Sequence, residues 1–318
     1  VVKIVLGSRA NDSRLATFRE SYPDVTFVAA ETSDDIVREI ADADAFFGNP
    51  TREAYLAARK LKWIQAPSAG IEFIRNVPEL VESDVALTNA RGAHAATIAE
   101  HTFAMLLCLT RGLRFFEHAK GCHTWLRGDG YRNVVGIDGK SMGVVGFGNI
   151  GRAIAKRAHA FEMTVLAVDA QEVPANEHVQ SVWRLDRLHD MLRQIDVLAI
   201  AAPITPETRG MIGEREIRAI KPGGYLMVVS RGGIVDEPAL IRALQDGHLA
   251  GAGLDVTETE PLPPDNPLWD APNLIITPHI SGGSQLTTEL MWSIFHENVG
   301  HFVRGEPLKN LTNKRLGY

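Results

Sequence analysis

The chain has 318 residues, 45% of them hydrophobic and 23% charged, with a formal net charge of −6. That length suits about two domains, each large enough to bury its own core, and the acidic balance gives no case for nucleic-acid binding by the chain as a whole. Its two cysteines, Cys108 and Cys122, form no CxxC pair and no disulfide framework, which fits a reducing, cytoplasmic setting.

The opening run VKIVL at residues 2–6 reads as a short strand, since neither a basic segment nor a long apolar stretch accompanies it as in a secretory leader. Further strands are expected at 25–29, 45–48, 63–66 and 85–88, with helices between them at 12–22, 33–41 and 52–60. Such alternation predicts a parallel sheet covered on both faces. A long helix is expected over 95–118. Its apolar stretch carries Glu100, His101 and Arg111, which places it in a protein core and not in a membrane. Cys108 lies in the run FAMLLCL and reads as a core thiol.

After a polar loop the alternation resumes. Strands are expected at 142–145, 164–168, 197–201, 225–229, 251–256 and 274–276, and helices at 149–161, 188–194 and 238–246. Asp236, followed by Glu237 and Pro238, is a helix start signal. Residues 284–303 read as a final long helix that crosses back to the first half, with Trp292 and Phe295 as core residues. The pattern predicts two doubly wound α/β domains, one from 1–94 with 287–318 and the other from 95–286.

GFGNIG at 146–151 matches GxGxxG, follows an apolar strand and opens a helix. In that context each glycine has a task. Gly146 permits the tight turn, Gly148 lets a pyrophosphate approach the backbone, and Gly151 lets helix and strand pack closely. The amides of Asn149 and Ile150 then face the phosphates at the helix N-terminus. Asp169 ends the next strand, 18 residues past Gly151, near the spacing for an acid that bonds a ribose 2′-hydroxyl. A carboxylate there repels the 2′-phosphate of NADP, and Ala170 and Gln171 offer no arginine to receive it, so NAD is the expected cofactor.

Three later segments place polar residues just after strands, where an open α/β sheet faces its ligand. Arg231 suits a keto-acid carboxylate or carbonyl, unless it is a loop arginine paired with Asp236. Asp255 and Glu260 lie in GLDVTETEPLP, which on composition alone also suits a solvated acidic loop. His279, in TPHISGGS, is the residue type for proton exchange at neutral pH, and a carboxylate partner would orient its ring. No His/Cys/Asp/Glu cluster has convincing metal-ligand spacing, and Cys122-His123 is isolated.

Taken in order, GFGNIG, PITPET (203–208), VSRGGIVDEPAL, GLDVTETEPLP and TPHISGGS resemble the D-isomer-specific 2-hydroxyacid dehydrogenase family over essentially the whole chain. The resemblance implies a Rossmann NAD domain inserted in a flavodoxin-like substrate domain, a cleft between the two, and a homodimer. It implies hydride transfer between NAD(H) and a small 2-keto acid or the matching D-2-hydroxy acid. Arg231 would bind and polarise the keto acid, His279 would be the general acid/base and Glu260 its partner. Asp255 would meet the nicotinamide carboxamide, Thr97 would lie near the nicotinamide, and Pro203, Thr208, Val229 and Ser230 would line the cofactor. PSAGI at 67–71 matches the loop whose amides, at Ala69 and Gly70, hold the substrate carboxylate.

Two departures stand out. Many members carry histidine just before the PITPET segment, where this chain has Ala201 and Ala202, and the chain ends at Tyr318 without the regulatory domain of long phosphoglycerate dehydrogenases. Glu260 argues against formate dehydrogenase, which has glutamine there. The alternatives are an NAD(H)-sensing corepressor-like protein and a phosphoglycerate or phosphonate dehydrogenase relative. Glyoxylate, hydroxypyruvate, pyruvate and bulkier keto acids all stay open as substrates, and neither nucleic acid nor membrane is expected as a partner.

Overall fold

The computed structural model describes residues 1–7, 12–130, 134–315 and 317. The chain divides into two units, Val1–His94 with Ser284–Tyr318, and Ala95–Gly283.

The first unit alternates strand and helix as β1 (Val2–Leu6), α1 (Asp12–Ser21), β2 (Val25–Ala29), α2 (Ser33–Ile40), β3 (Ala45–Phe47), α3 (Arg52–Ala57), β4 (Trp63–Gln65), α4 (Pro78–Val81) and β5 (Ala86–Thr88). The strands pair in the order β2-β1-β3-β4-β5, every pair parallel. This is the flavodoxin-like order. Threonine hydroxyls start two of the helices, Thr32 accepting from the Asp35 amide and Thr51 from the Ala54 amide. The helix expected to reach Lys60 stops at Ala57, because Ala58 turns extended (ψ 121°) and leads the chain toward β4. The closing helix of the chain, Gln285–Arg304, packs on this sheet. Its Phe295 and Trp292 rings stand 4.4 and 4.7 Å from Phe47, within the buried group that also holds Phe18, Trp63 and Val299. The buried Gln65 has its Oε1 filled by Asn298 Nδ2 at 2.9 Å and the Thr88 hydroxyl at 2.8 Å, so a polar side chain in this core is satisfied.

The second unit comprises α5 (Ala95–Thr110), α6 (Leu113–Gly121), α7 (Arg127–Gly130), β6 (Ser141–Val145), α8 (Asn149–Ala160), β7 (Thr164–Asp169), β8 (Ser181–Arg184), α9 (Leu188–Leu192), β9 (Val197–Ile200), α10 (Glu214–Ala219), β10 (Gly224–Val228), α11 (Glu237–Gln245), β11 (Leu249–Leu254) and β12 (Leu274–Ile276). Its parallel sheet runs β12-β11-β10-β9-β6-β7-β8. The order reverses between β6 and β9, which makes the crevice above those strand ends the place where a Rossmann sheet takes its ligand. The expected fold class therefore holds.

Three local expectations are corrected. The helix expected over 95–118 is two helices, broken where Gly112 takes a left-handed turn (φ +62°) that L-residues adopt at a cost. Strand β8 was not expected, being four residues at the sheet edge with little burial. Helix α10 was not expected either, since EREIRA offers one buried residue, Ile217, and so no apolar period to detect.

Candidate active site

The glycine turn sits at the switch point, between the end of β6 and the start of α8. Two of its glycines are demanded by packing. A Cβ on Gly146 (φ +90°) would lie 2.7 Å from the Ala202 nitrogen, and one on Gly151 would lie 2.0 Å from the Gly146 oxygen. A Cβ on Gly148, in contrast, would meet no atom of the described residues within 4 Å. The start of α8 has no side-chain cap, so its first amides keep their donors and their positive dipole end for an anion. At the end of β7, Asp169 accepts from the Phe147 amide at 2.7 Å and from the Gln171 amide at 2.8 Å, which fixes its carboxylate beside the turn.

The other cofactor candidates follow the neighbouring strands. After β9, the Thr208 hydroxyl donates to the Pro203 carbonyl at 2.7 Å and accepts from the Thr205 amide at 2.8 Å, closing the PITPET loop. After β10, Val229 and Ser230 are buried, and the Ser230 hydroxyl has no hydrogen-bond partner among the described residues. A buried hydroxyl left unpaired is costly, and a polar ligand group would satisfy it. The open approach at Gly148 and this unpaired hydroxyl both fit a dinucleotide. Arg152 escaped the sequence reading. It lies over the Phe147 ring at 4.7 Å and donates to the Pro174 carbonyl at 3.3 Å, so α8 sends a guanidinium to the loop beyond Asp169. Only contacts between α8 and that loop reveal it.

The candidate catalytic residues come from three successive strand ends. Arg231 follows β10 and its guanidinium donates to the Ser230 carbonyl at 2.7 Å. Glu260 lies beyond β11, with Oε1 accepting from the Thr257 amide at 3.1 Å and Oε2 standing 2.8 Å from His279 Nδ1. Because a carboxylate can only accept, Nδ1 carries the proton in that bond and Nε2 is left to exchange one. The His279 side chain is 47% exposed, open to a reactant. Gly232 ties the arginine segment to the glutamate segment, since a Cβ there would lie 1.9 Å from the Thr257 oxygen.

Asp255 is fully buried and is the hub of the His279 loop. Its Oδ1 accepts from the Thr277 hydroxyl at 2.6 Å and the Ile280 amide at 2.9 Å, and its Oδ2 from the Ser281 amide at 2.9 Å. A contact with a nicotinamide carboxamide would use the remaining lone pair on Oδ2. Thr97, on the first turn of α5, donates to the Gly282 carbonyl at 3.4 Å and so lies against the same loop.

In the first unit, the loop after β4 has its carbonyls pinned. The Ser68 carbonyl accepts from the Ala90 amide at 2.9 Å, that of Ala69 from Asn89 Nδ2 at 2.6 Å, and that of Gly70 from the Ser68 hydroxyl at 2.7 Å. No acceptor among the described residues meets the amides of Ala69 or Gly70. Amides left open beside fixed carbonyls can donate to an anion.

A Rossmann sheet with an open glycine turn at its switch point, joined to a histidine–carboxylate pair, defines an oxidoreductase working on a nicotinamide dinucleotide. Residues 103–281 match the model of the D-isomer specific 2-hydroxyacid dehydrogenase NAD binding domain. A glyoxylate reductase of Korarchaeum cryptofilum is 34% identical over 291 residues, 88% of this chain and 86% of that one. A hydroxypyruvate reductase of Blautia hydrogenotrophica is 32% identical over 288 residues, 88% of each. The structure of a D-isomer specific 2-hydroxyacid dehydrogenase from Xanthobacter autotrophicus, in complex with NADPH and MES, superposes with a TM-score of 0.83 at 26% identity, covering 100% of this chain and 99% of that one. The chain belongs to the D-isomer specific 2-hydroxyacid dehydrogenase family, and it interconverts 2-keto and 2-hydroxy acids with NAD or NADP.

Among the described residues, no helix is long and apolar enough to cross a membrane.

Proposed function

We propose that this chain is a cytosolic, NADH-preferring reductase of small 2-keto acids, with glyoxylate and hydroxypyruvate as the first candidates. The observation that carries the proposal is the 2.8 Å contact of His279 Nδ1 with Glu260 beside the Arg231 segment. When bound, the dinucleotide supplies a hydride to the carbonyl carbon. His279 Nε2 donates the proton to the carbonyl oxygen, and Glu260 keeps the ring in the one tautomer that can do so. Arg231 pairs with the substrate carboxylate and polarises the carbonyl; in the first unit, the amides of Ala69 and Gly70 are donors for a carboxylate. In the reverse direction His279 takes the hydroxyl proton as a base.

For the cofactor, the amides at Asn149 and Ile150 hold the pyrophosphate, with Gly146, Gly148 and Gly151 shaping the turn. Asp169 takes the ribose 2′-hydroxyl and disfavours a 2′-phosphate. Thr97, Pro203, Thr208, Val229, Ser230 and Asp255 form the remaining wall. The proposal extends to a homodimer, supported by the exposure of Trp125 (92%) and Leu113 (53%), which light scattering on the purified chain tests. The cytosolic setting is supported by two cysteines that are both free thiols.

The decisive experiment is cofactor oxidation by the purified protein, with NADH and NADPH, against a panel of 2-keto acids. Turnover with NADH on glyoxylate or hydroxypyruvate is expected, and His279→Ala should lower it about 10²–10⁴-fold. Near-normal turnover in that variant refutes the proton-donor assignment. Binding of NADH without turnover on any acid refutes the reductase assignment.

A further inference from the structure

His101 lies one helical turn beyond Thr97 on α5, and both side chains reach the loop that carries His279. The Thr277 hydroxyl stands 2.6 Å from Asp255 Oδ1. That hydroxyl donates to Asp255, whose carboxyl also accepts the amides of Ile280 and Ser281. That hydroxyl must then accept from His101 Nε2, 2.9 Å away, which fixes the proton on Nε2. The same nitrogen lies 3.7 Å from Asp255 Oδ1. The chain of bonds therefore runs one way, from His101 through Thr277 to Asp255.

All of these bonds close on the turn around His279. Asp255 accepts from the amides of Ile280 and Ser281 through its side chain, and from the His279 amide through its carbonyl at 2.8 Å. His279 itself is left-handed (φ +52°), a conformation that L side chains rarely adopt. Among the described residues its exposed ring is gripped by Glu260 alone, so the aim of Nε2 depends on the backbone beneath it. One i, i+4 pair on α5, Thr97 and His101, anchors both ends of the segment 277–282.

We infer that His101 is a positioning residue for keto-acid reduction: through Thr277 and Asp255 it holds the left-handed turn that aims His279. The inference rests on His279 being the proton donor. Removing His101 frees the Thr277 hydroxyl to turn away from Asp255 and loosens the turn, without touching the glycine turn or Asp169 that carry the cofactor's other end.

The test uses the full chain and four variants, His101→Leu, His101→Gln, Thr277→Val and Thr277→Ser. Hydrogen exchange by mass spectrometry reads the amides of 279–281, and steady-state kinetics with glyoxylate reads turnover and the primary isotope effect from NADH deuterated at C4. In His101→Leu those amides should exchange at least about tenfold faster. Its kcat should fall about tenfold with a raised isotope effect, while KM for NADH moves less than about twofold. Glutamine, whose Nε2 can donate to Thr277, should restore both readouts. Thr277→Val should repeat the leucine result and Thr277→Ser should not, a second pair that decides the matter if a His101 variant fails to fold. Wild-type exchange and turnover in His101→Leu would overturn the inference, as would a glutamine variant no better than leucine. A wild-type chain that reduces no keto acid overturns the proposed function on its own, and the exchange comparison still decides the His101–Thr277–Asp255 link.

Discussion

Gly232→Ala should cost this protein most of its turnover while leaving its cofactor affinity in place. The added Cβ would sit 1.9 Å from the Thr257 oxygen, 2.2 Å from its carbonyl carbon and 2.6 Å from the Glu258 nitrogen, all of them backbone atoms. A carbon and a carbonyl oxygen rest at about 3.3 Å or more, so one segment must yield by about 1.4 Å. Glu260 moves with Thr257, whose amide holds its Oε1 at 3.1 Å. A shift of that size stretches the 2.8 Å contact with His279 past the limit of a hydrogen bond. A misplacement near 1 Å in a reacting constellation costs about 10²-fold in rate, and overpacking of this kind costs about 1–3 kcal/mol in stability. The assay is kcat with NADH and glyoxylate, beside the NADH dissociation constant from fluorescence and a thermal melt. Expected are a kcat lower by about 10²-fold, a melting point a few degrees lower and an unchanged dissociation constant. A variant with wild-type kcat would refute the view that the Arg231 and Glu260 segments are held by backbone contact at Gly232.

Gly148→Ala is the opposite case. With nothing within 4 Å of the new Cβ, the melting point should hold, while NADH binding weakens about 10- to 100-fold as the methyl meets the pyrophosphate; unaltered affinity would place the dinucleotide elsewhere. Asp169→Ala should narrow the proposed preference for NADH over NADPH, because it removes the carboxylate that Phe147 and Gln171 fix beside the turn; an unchanged ratio of the two kcat/KM values counts against its proposed ribose role. At the far side of the same unit, the Arg218 guanidinium bonds the Asp246 carboxyl and holds it down to about 2, below its ordinary 3.8. A carboxyl lowered in the folded state stabilises it above the ordinary value and loses that contribution as pH falls through about 2. Asp246→Asn should therefore be less stable than wild type in urea at pH 7, with the gap narrowing at pH 3; a constant gap would show that the ion pair contributes nothing.

Much of this protein was legible in its sequence, where the signal is local. Val197–Ile200 and Gly224–Val228 are strands close to where they were expected, because a strand buried on both faces is a short, largely apolar run. The glycines of GFGNIG announced a tight turn, and Arg231, Glu260 and His279 stood out as candidates by following strands, since a parallel sheet gathers its strand ends on one edge. Elements whose reason lies in other parts of the chain were not legible. Strand β8 forms because β7 offers it an edge to pair with, and α10 because Ile217 finds a core built by β9, β10 and α11. The break at Gly112 was visible as a glycine and not as a turn.

The residue types and the order of the motifs were enough to place the chain in its family, because a dinucleotide turn and polar residues set just after strands each leave a local mark. Tertiary structure alone decided how those residues are held. Nothing in the spacing of His101, Asp255 and Thr277 links them, and nothing in a GG pair says that the first glycine touches a loop 25 residues on. Those relations arise when helix α5 and strands β10, β11 and β12 are packed to within hydrogen-bond reach, a distance that no interval along the chain encodes.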